Sequence, residues 1–249
     1  MNFMQTWERR HLAKEHNLHT QHMDGIDPCE IDRSSGQNNI HLHFILLPKT
    51  IIKSLPSNKA PGCDKVNAKT LKDSLPVIAP VITSLINNSF QSSTFPLSWK
   101  KAEIVLILKS GDSEEPANTR PISLLPLLSK VCERAAHSSS QLVNFLSSNE
   151  IIHHLQSGNR KFHSTESTLL HFTDEWIKRI LLHLSKAFDN IQHDLMLCKL
   201  RKSGVSETAC VWFESYLSQR IQVFKIQNTL SHPLPVTEYH GKILHVLNL

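Results

Sequence analysis

The chain has 249 residues, 40% hydrophobic and 20% charged, a balance that suits a globular fold and argues against disorder. Seven glycines leave little room for repeats, collagen-like stretches or a glycine-rich phosphate loop. A formal net charge of +5 and a pI near 9.0 suit a polyanionic partner.

No stretch reaches the ~18 to 20 apolar residues needed to span a bilayer. The segment Met1 to Arg10 has no apolar core of the signal-peptide kind. The expectation is a soluble intracellular protein, in nucleus or cytoplasm. The five cysteines are odd in number and none form a C-x-x-C pair, which argues against a zinc knuckle or a disulfide framework. Among the 16 histidines, His16, His19 and His22 and the pair His153-His154 read as surface decoration rather than metal ligands.

In chain order, residues 1–44 are polar and His-rich, without sustained periodicity, and are expected to be poorly ordered. Pro56, Pro61 and Gly62 punctuate a turn-rich segment with Lys53, Lys59 and Lys65 interleaved. Two helices are predicted next, Asn67 to Ser74 and Pro76 to Gln91, the second with Val77, Val81, Leu85 and Ile86 at helical spacing. Trp99 to Leu108 reads as a buried strand, followed by a turn at Lys109 to Asp112 and a loop from Ser113 to Pro121. A long helix is predicted from about Leu127 to Leu146, and another from Ser164 to Ile180, entered through Ser164 or Thr165 as N-cap. Asp194 to Lys202 and Glu207 to Leu217 form a helical pair broken at Gly204. Gln219 to Gln227 and Leu234 to Tyr239 read as strands. Mixed helices and strands with late antiparallel pairing indicate an α+β fold.

Six segments then stand in an order that resembles LINE-type (jockey-like) non-LTR retrotransposon reverse transcriptases. They are SNKAPGCDKV (Ser57 to Val66), FPLSWKKAEIVLILKSGD (Phe95 to Asp112), TRPISLLPLLSKVCER (Thr119 to Arg134), LQSGNRKFHSTESTLLHFTDE (Leu155 to Glu175), LSKAFD (Leu184 to Asp189) and WFESYLSQR (Trp212 to Arg220). The resemblance implies part of a right-hand polymerase: residues 45–179 fingers-like, residues 180–249 a truncated palm, and no thumb. It implies RNA-directed DNA synthesis as the family activity, Mg²⁺ as the family cofactor, and RNA or an RNA–DNA hybrid as partner.

Carried over by motif, Lys109 and Arg120 match the basic pair that the family uses on the incoming triphosphate. Arg160 falls in the family's Q-S-G-x-R segment near template and nucleotide, although Asn159 stands where the family has Phe. Phe188 matches the bulky residue beneath the sugar that excludes a 2′-hydroxyl. Ordinary readings compete: a solvated charge at a strand end for Lys109, a loop surface residue for Arg120, a core aromatic for Phe188.

Three departures point to an inactive chain. The family's metal-binding Asp lies five residues before the Phe of A-F-D, and that position holds His183. A neutral imidazole suits Mg²⁺ poorly, because the ion prefers hard anionic oxygen. Asp189 lies past the strand end and does not replace it. On the order of ten residues are missing before LSKAFD, where WIKRILLH must serve as helix end, turn and strand. After LPVT the chain reads EYHGKILHVLNL instead of the family's G-V-P-Q-G-S, and the Y-A-D-D hairpin is not reached. The expectation is therefore no catalytic residue, no bound metal, and an unpaired strand edge around Gln219 to Gln227 that favours oligomerisation or aggregation. Two alternatives are a non-catalytic nucleic-acid-binding remnant and a pseudogene product without a cellular role.

Overall fold

The computed structural model describes residues 49–108, 118–137, 142–153, 156–158, 162–173, 192–226 and 229–236. A short helix, α1 (Lys49–Lys53), precedes the turn-rich segment, and α2 (Ala68–Gln91) follows it. Asn67 starts α2: its backbone is extended and its side chain accepts a hydrogen bond from the Thr70 N–H at 2.8 Å.

The two helices expected here are one helix of 24 residues with Pro76 and Pro80 inside it. Both prolines are exposed, so the carbonyls that lose a partner face water. The buried face (Leu71, Leu75, Ala79, Ile82, Ile86 and Phe90) runs past both of them, and packing carries the helix through. The expected apolar face is corrected as well. Val77, Val81 and Leu85 are 81%, 61% and 44% exposed, whereas Ile86 is fully buried. Two apolar stripes share the helical period, and only the longer one meets the rest of the molecule.

A 3₁₀ turn (Leu97–Trp99) leads into β1 (Lys101–Leu108), which forms an antiparallel hairpin with β2 (Thr119–Leu124). The register runs from Glu103 opposite Leu124 to Leu108 opposite Thr119. Strand β2 replaces part of the expected loop. Pro121 reads as a breaker, but β2 has only β1 as neighbour among the described strands, and an edge strand tolerates a residue without an N–H.

Helices α3 (Leu127–His137) and α4 (Leu142–Ser148) stand where a single long helix was expected, with residues 138–141 outside the described set. Helix α5 (Thr165–Thr173) is entered through Ser164, whose Oγ accepts from the Ser167 N–H at 3.2 Å. The remainder of that predicted helix lies outside the described residues. Helices α6 (His193–Lys202) and α7 (Glu207–Leu217) form the expected pair. Gly204 between them has φ of 89°, a conformation that costs other residues a steric clash.

The chain then returns to the sheet as β3 (Ile221–Ile226), β4 (Thr229–Leu230) and β5 (Leu234–Pro235). Strand β3 pairs in parallel with β1, Lys101 opposite Ile221, and in antiparallel with β4 and β5. It is therefore flanked on both sides, and among the described residues of Gln219 to Gln227 the expected unpaired edge is not found. The mixed sheet packed with helices is an α+β fold.

The core forms where α2 meets α7. Trp212 of α7 stacks on Tyr216 at 5.7 Å and meets Phe90, Phe95 and Phe213 edge-on at 5.2 to 5.6 Å. Its indole N–H donates to Ser89 Oγ at 3.0 Å, and Ser89 Oγ donates to the Thr94 carbonyl. A buried indole is thereby both packed and satisfied. The Phe95 N–H donates to Ser215 Oγ at 2.9 Å, tying the start of the sheet to α7. Cys132 and Cys210 are buried free thiols and Cys63 is a half-buried one.

Candidate nucleic-acid interface

Successive side chains of a strand project to opposite sides, so the register sorts the hairpin into two faces. Lys101, Glu103, Val105 and Ile107 of β1 share one face with Arg120, Ile122 and Leu124 of β2 and with Val223 and Lys225 of β3. Four basic groups thus gather on one side of the sheet: Lys101, Arg120 and Lys225 from the strands, and Lys65 from the preceding turn.

Glu103 is the only carboxylate on that face of β1, β2 and β3, and it is 4% exposed. Lys65 Nζ lies 2.8 Å from Glu103 Oε2, and Lys225 Nζ lies 3.3 Å from Glu103 Oε1. The Lys65 hydrogen bond holds the Glu103 carboxyl below the usual carboxylate range against the opposing pull of burial, with Lys225 adding to the effect. The same bond raises the Lys65 ammonium. One buried negative charge is thus shared by two cations that are themselves largely exposed, at 62% and 38%.

The turn carrying Lys65 is seated by its neighbours. A Cβ at Gly62 would stand 2.5 Å from the Leu125 carbonyl carbon, so only glycine lets the turn lie against the junction of β2 and α3. Asp64 accepts from the Val66 N–H at 3.3 Å and from the Leu127 N–H, the first of α3, at 3.4 Å. A carboxylate at a helix start also meets the positive end of the helix dipole. Lys65 itself has φ of 56°, a strained value for a side-chain-bearing residue.

Arg120 is exposed and stands opposite Ile107, one residue from the open end of the paired region. Lys109 follows Leu108 directly in sequence and, like Arg160 and Phe188, lies outside the described residues. So do His183 and Asp189. Of the four sequence-derived nucleotide-binding residues, Arg120 alone falls among the described residues. Among the described residues no three His, Cys, Asp or Glu side chains gather to hold a metal ion. No helix among them is long and apolar enough to cross a membrane.

Two features escaped the sequence reading. Glu103 was the visible clue to the ion network, being a carboxylate inside an otherwise apolar strand. Arg220, quoted only as the end of WFESYLSQR, is 2% exposed, with its guanidinium 4.2 Å from the Tyr216 ring centroid. Its Nε donates to the Tyr216 carbonyl at 2.8 Å.

Residues 107–238 match the family model described as Reverse transcriptase (RNA-dependent DNA polymerase). The chain is 36% identical over 193 residues to the probable RNA-directed DNA polymerase from transposon BS of Drosophila melanogaster, covering 73% of this chain and 21% of that protein. It is 32% identical over 183 residues to the RNA-directed DNA polymerase from mobile element jockey of the same fly, covering 69% and 20%. Against the transposon TX1 uncharacterized 149 kDa protein of Xenopus laevis, identity is 27% over 192 residues, covering 74% and 14%. The chain spans about a fifth of the length of its fly relatives or less. A family match across more than half of the sequence, with relatives from non-LTR elements, shows that the chain belongs to the reverse transcriptase family.

Proposed function

We propose that this chain is the fingers and part of the palm of a retrotransposon reverse transcriptase, able to hold nucleic acid or nucleotide but unable to polymerise DNA. The observation that carries the binding half is the basic face of the β1–β2–β3 sheet. Lys101, Arg120, Lys225 and Lys65 lie on one side of it, with Arg120 near the hairpin end, where Leu108, the residue before Lys109, pairs with Thr119. Cations fixed by sheet register suit a phosphate-bearing strand or a triphosphate. On this reading residues 45–179 are the fingers and the segment from 180 onward is palm. Lys109, Arg120, Arg160 and Phe188 serve the nucleotide, and RNA or an RNA–DNA hybrid is the natural ligand.

The silent half rests on His183. Mg²⁺ in a polymerase assists attack of the primer hydroxyl and stabilises the leaving pyrophosphate, and it needs anionic oxygen ligands to stay in place. An imidazole at the aspartate position brings no negative charge, so the donor set does not suit the ion.

Two assays on the full chain test the two halves separately. Binding to an RNA–DNA hybrid, followed by fluorescence anisotropy, should weaken steeply as salt rises. An Arg120→Ala and Lys109→Ala double variant should lower the affinity several-fold. Unchanged affinity in that variant, or no binding at low salt, would remove the binding half. Primer extension with Mg²⁺ should give no product, and extension on an RNA template would overturn the silent half.

A further inference from the structure

The opposite face of the sheet carries a second concentration of positive charge, this one buried. A cavity lies there against β1, β2 and β3, lined by Lys100, Ala102 and Ile104, by Ser123 and Leu125, and by Arg220, Ile221, Gln222 and Val236. Arg220, Gln222 and Lys100 are 2%, 8% and 3% exposed. Among the described residues, neither Nη of Arg220 nor Oε1 of Gln222 has a hydrogen-bond partner. Among the described residues, the cavity walls include no carboxylate.

Burying a charge without a partner is among the most expensive things a fold can do. Here two cations line one small space. Burial, reinforced by repulsion from Arg220, pushes the Lys100 ammonium below its ordinary value. Glu133 on α3 attracts Arg220 but does not line the cavity, and its hydrogen bonds go elsewhere. It accepts from Ser129 Oγ at 2.9 Å and from the Tyr216 hydroxyl, and burial pushes it toward the neutral acid. A bridging water would satisfy the Gln222 oxygen, yet it would bring no negative charge to the two unpartnered Nη atoms of Arg220 or to Lys100.

We propose that this cavity is an oxyanion site, in which Arg220 and Lys100 hold one oxygen of a small inorganic oxyanion such as phosphate. The space admits little more than a water-sized group, so a single oxygen enters and the rest of the ion stays at the mouth. Ala102, Ile104 and Leu125 form apolar walls that keep bulk water from competing and strengthen the attraction. Turning the Gln222 amide end for end would present its NH₂ as a third donor. The site lies on the sheet face away from Arg120 and stands independently of any polymerase reading.

The test is thermal unfolding of the full chain with inorganic phosphate, chloride or acetate at one constant ionic strength. The wild type should show a saturable rise with phosphate, roughly 3 °C at ten times the half-saturating concentration, and none with chloride. Gln222→Glu supplies a carboxylate from within. It should melt higher than wild type without phosphate and lose the phosphate response, and Lys100→Met should lose the response as well. A rise that is linear rather than saturable, or that persists unchanged in both variants, would be general salting-out and would overturn the site. A response to acetate in place of phosphate would also overturn it, because a carboxylate would then be the occupant. An oligonucleotide duplex without terminal phosphates that abolishes the phosphate response would make a backbone phosphodiester the ligand and overturn the assignment to a small inorganic oxyanion.

Discussion

At its root, strand β1 is enclosed. Ala102 and Ile104 are 6% and 1% exposed, β3 runs alongside in parallel, and Glu103 is gripped by two lysines. Three and four residues beyond Ile104, Ile107 and Leu108 are 52% and 47% exposed, and β2 alone among the described strands accompanies them. The same strand is therefore scaffold at one end and outreach at the other. Its root shares the α2–α7 core, whereas its tip pairs with the stretch of β2 that carries Arg120, the one described residue among those proposed to serve the nucleotide. Function can vary at the tip with little effect on stability, and the root has no such freedom.

Three substitutions test that contrast, and the largest effect belongs to the core behind the root. Trp212→Ala removes a ring that meets four aromatic neighbours and leaves Ser89 without its donor, and about 3 to 5 kcal/mol of stability should be lost. Urea unfolding reads this directly. A loss below about 1 kcal/mol would mean that α7 is not the anchor of the sheet.

An intermediate effect belongs to Glu103. Its carboxyl is held below the ordinary range in the folded chain. The resulting stability is present above the unfolded-state carboxylate pKa and is lost as pH falls through the lower folded-state value. Glu103→Gln should cost about 1 to 2 kcal/mol at neutral pH and remove that part of the acid sensitivity. Denaturant midpoints measured down through the carboxylate range decide it, and an equally steep acid loss in the variant would place the titrating group elsewhere.

The smallest effect belongs to the tip. Arg120→Ala should change stability by no more than about 0.5 kcal/mol. A melting temperature matching wild type alongside weakened hybrid binding would sharpen the contrast. A clear drop in stability would break it.

Much of this architecture was legible in the sequence. The α6–α7 pair and its Gly204 joint could be read from spacing and turn chemistry, as could β1 and the mixed helix-and-strand character. What was misread shares one cause, which is that local signals were asked to decide tertiary questions. Pro76 and Pro121 each look like breaks, yet one lies on the wet side of a helix and the other on an edge strand. Val77, Val81 and Leu85 have the same period as the true core face of α2, and only contact with the rest of the molecule tells the two apart. The Gln219 to Gln227 segment was expected to be a bare edge because the Y-A-D-D hairpin is not reached, whereas Lys101 to Ile104 and Leu234-Pro235 pair with its described part. At the candidate site, motif order drew attention to Arg120. The Lys65–Glu103–Lys225 network needed the parallel register before its members could be seen to meet.

That register also governs how the chain comes together in time. The hydrogen bond from Phe95 to Ser215 joins residues 120 apart in sequence, and the parallel pairing of β1 with β3 closes a loop of similar size. Contacts of such long range form late, because chain entropy must be given up before they are rewarded. On the ribosome, helix α2 and the β1–β2 hairpin emerge well before β3 exists to cover Ala102 and Ile104. At the rate of translation the root of β1 stays uncovered for several seconds or more, on the order of 5 to 20 residues being added each second. The root of β1, enclosed in the finished molecule, is thus long exposed while it is being made.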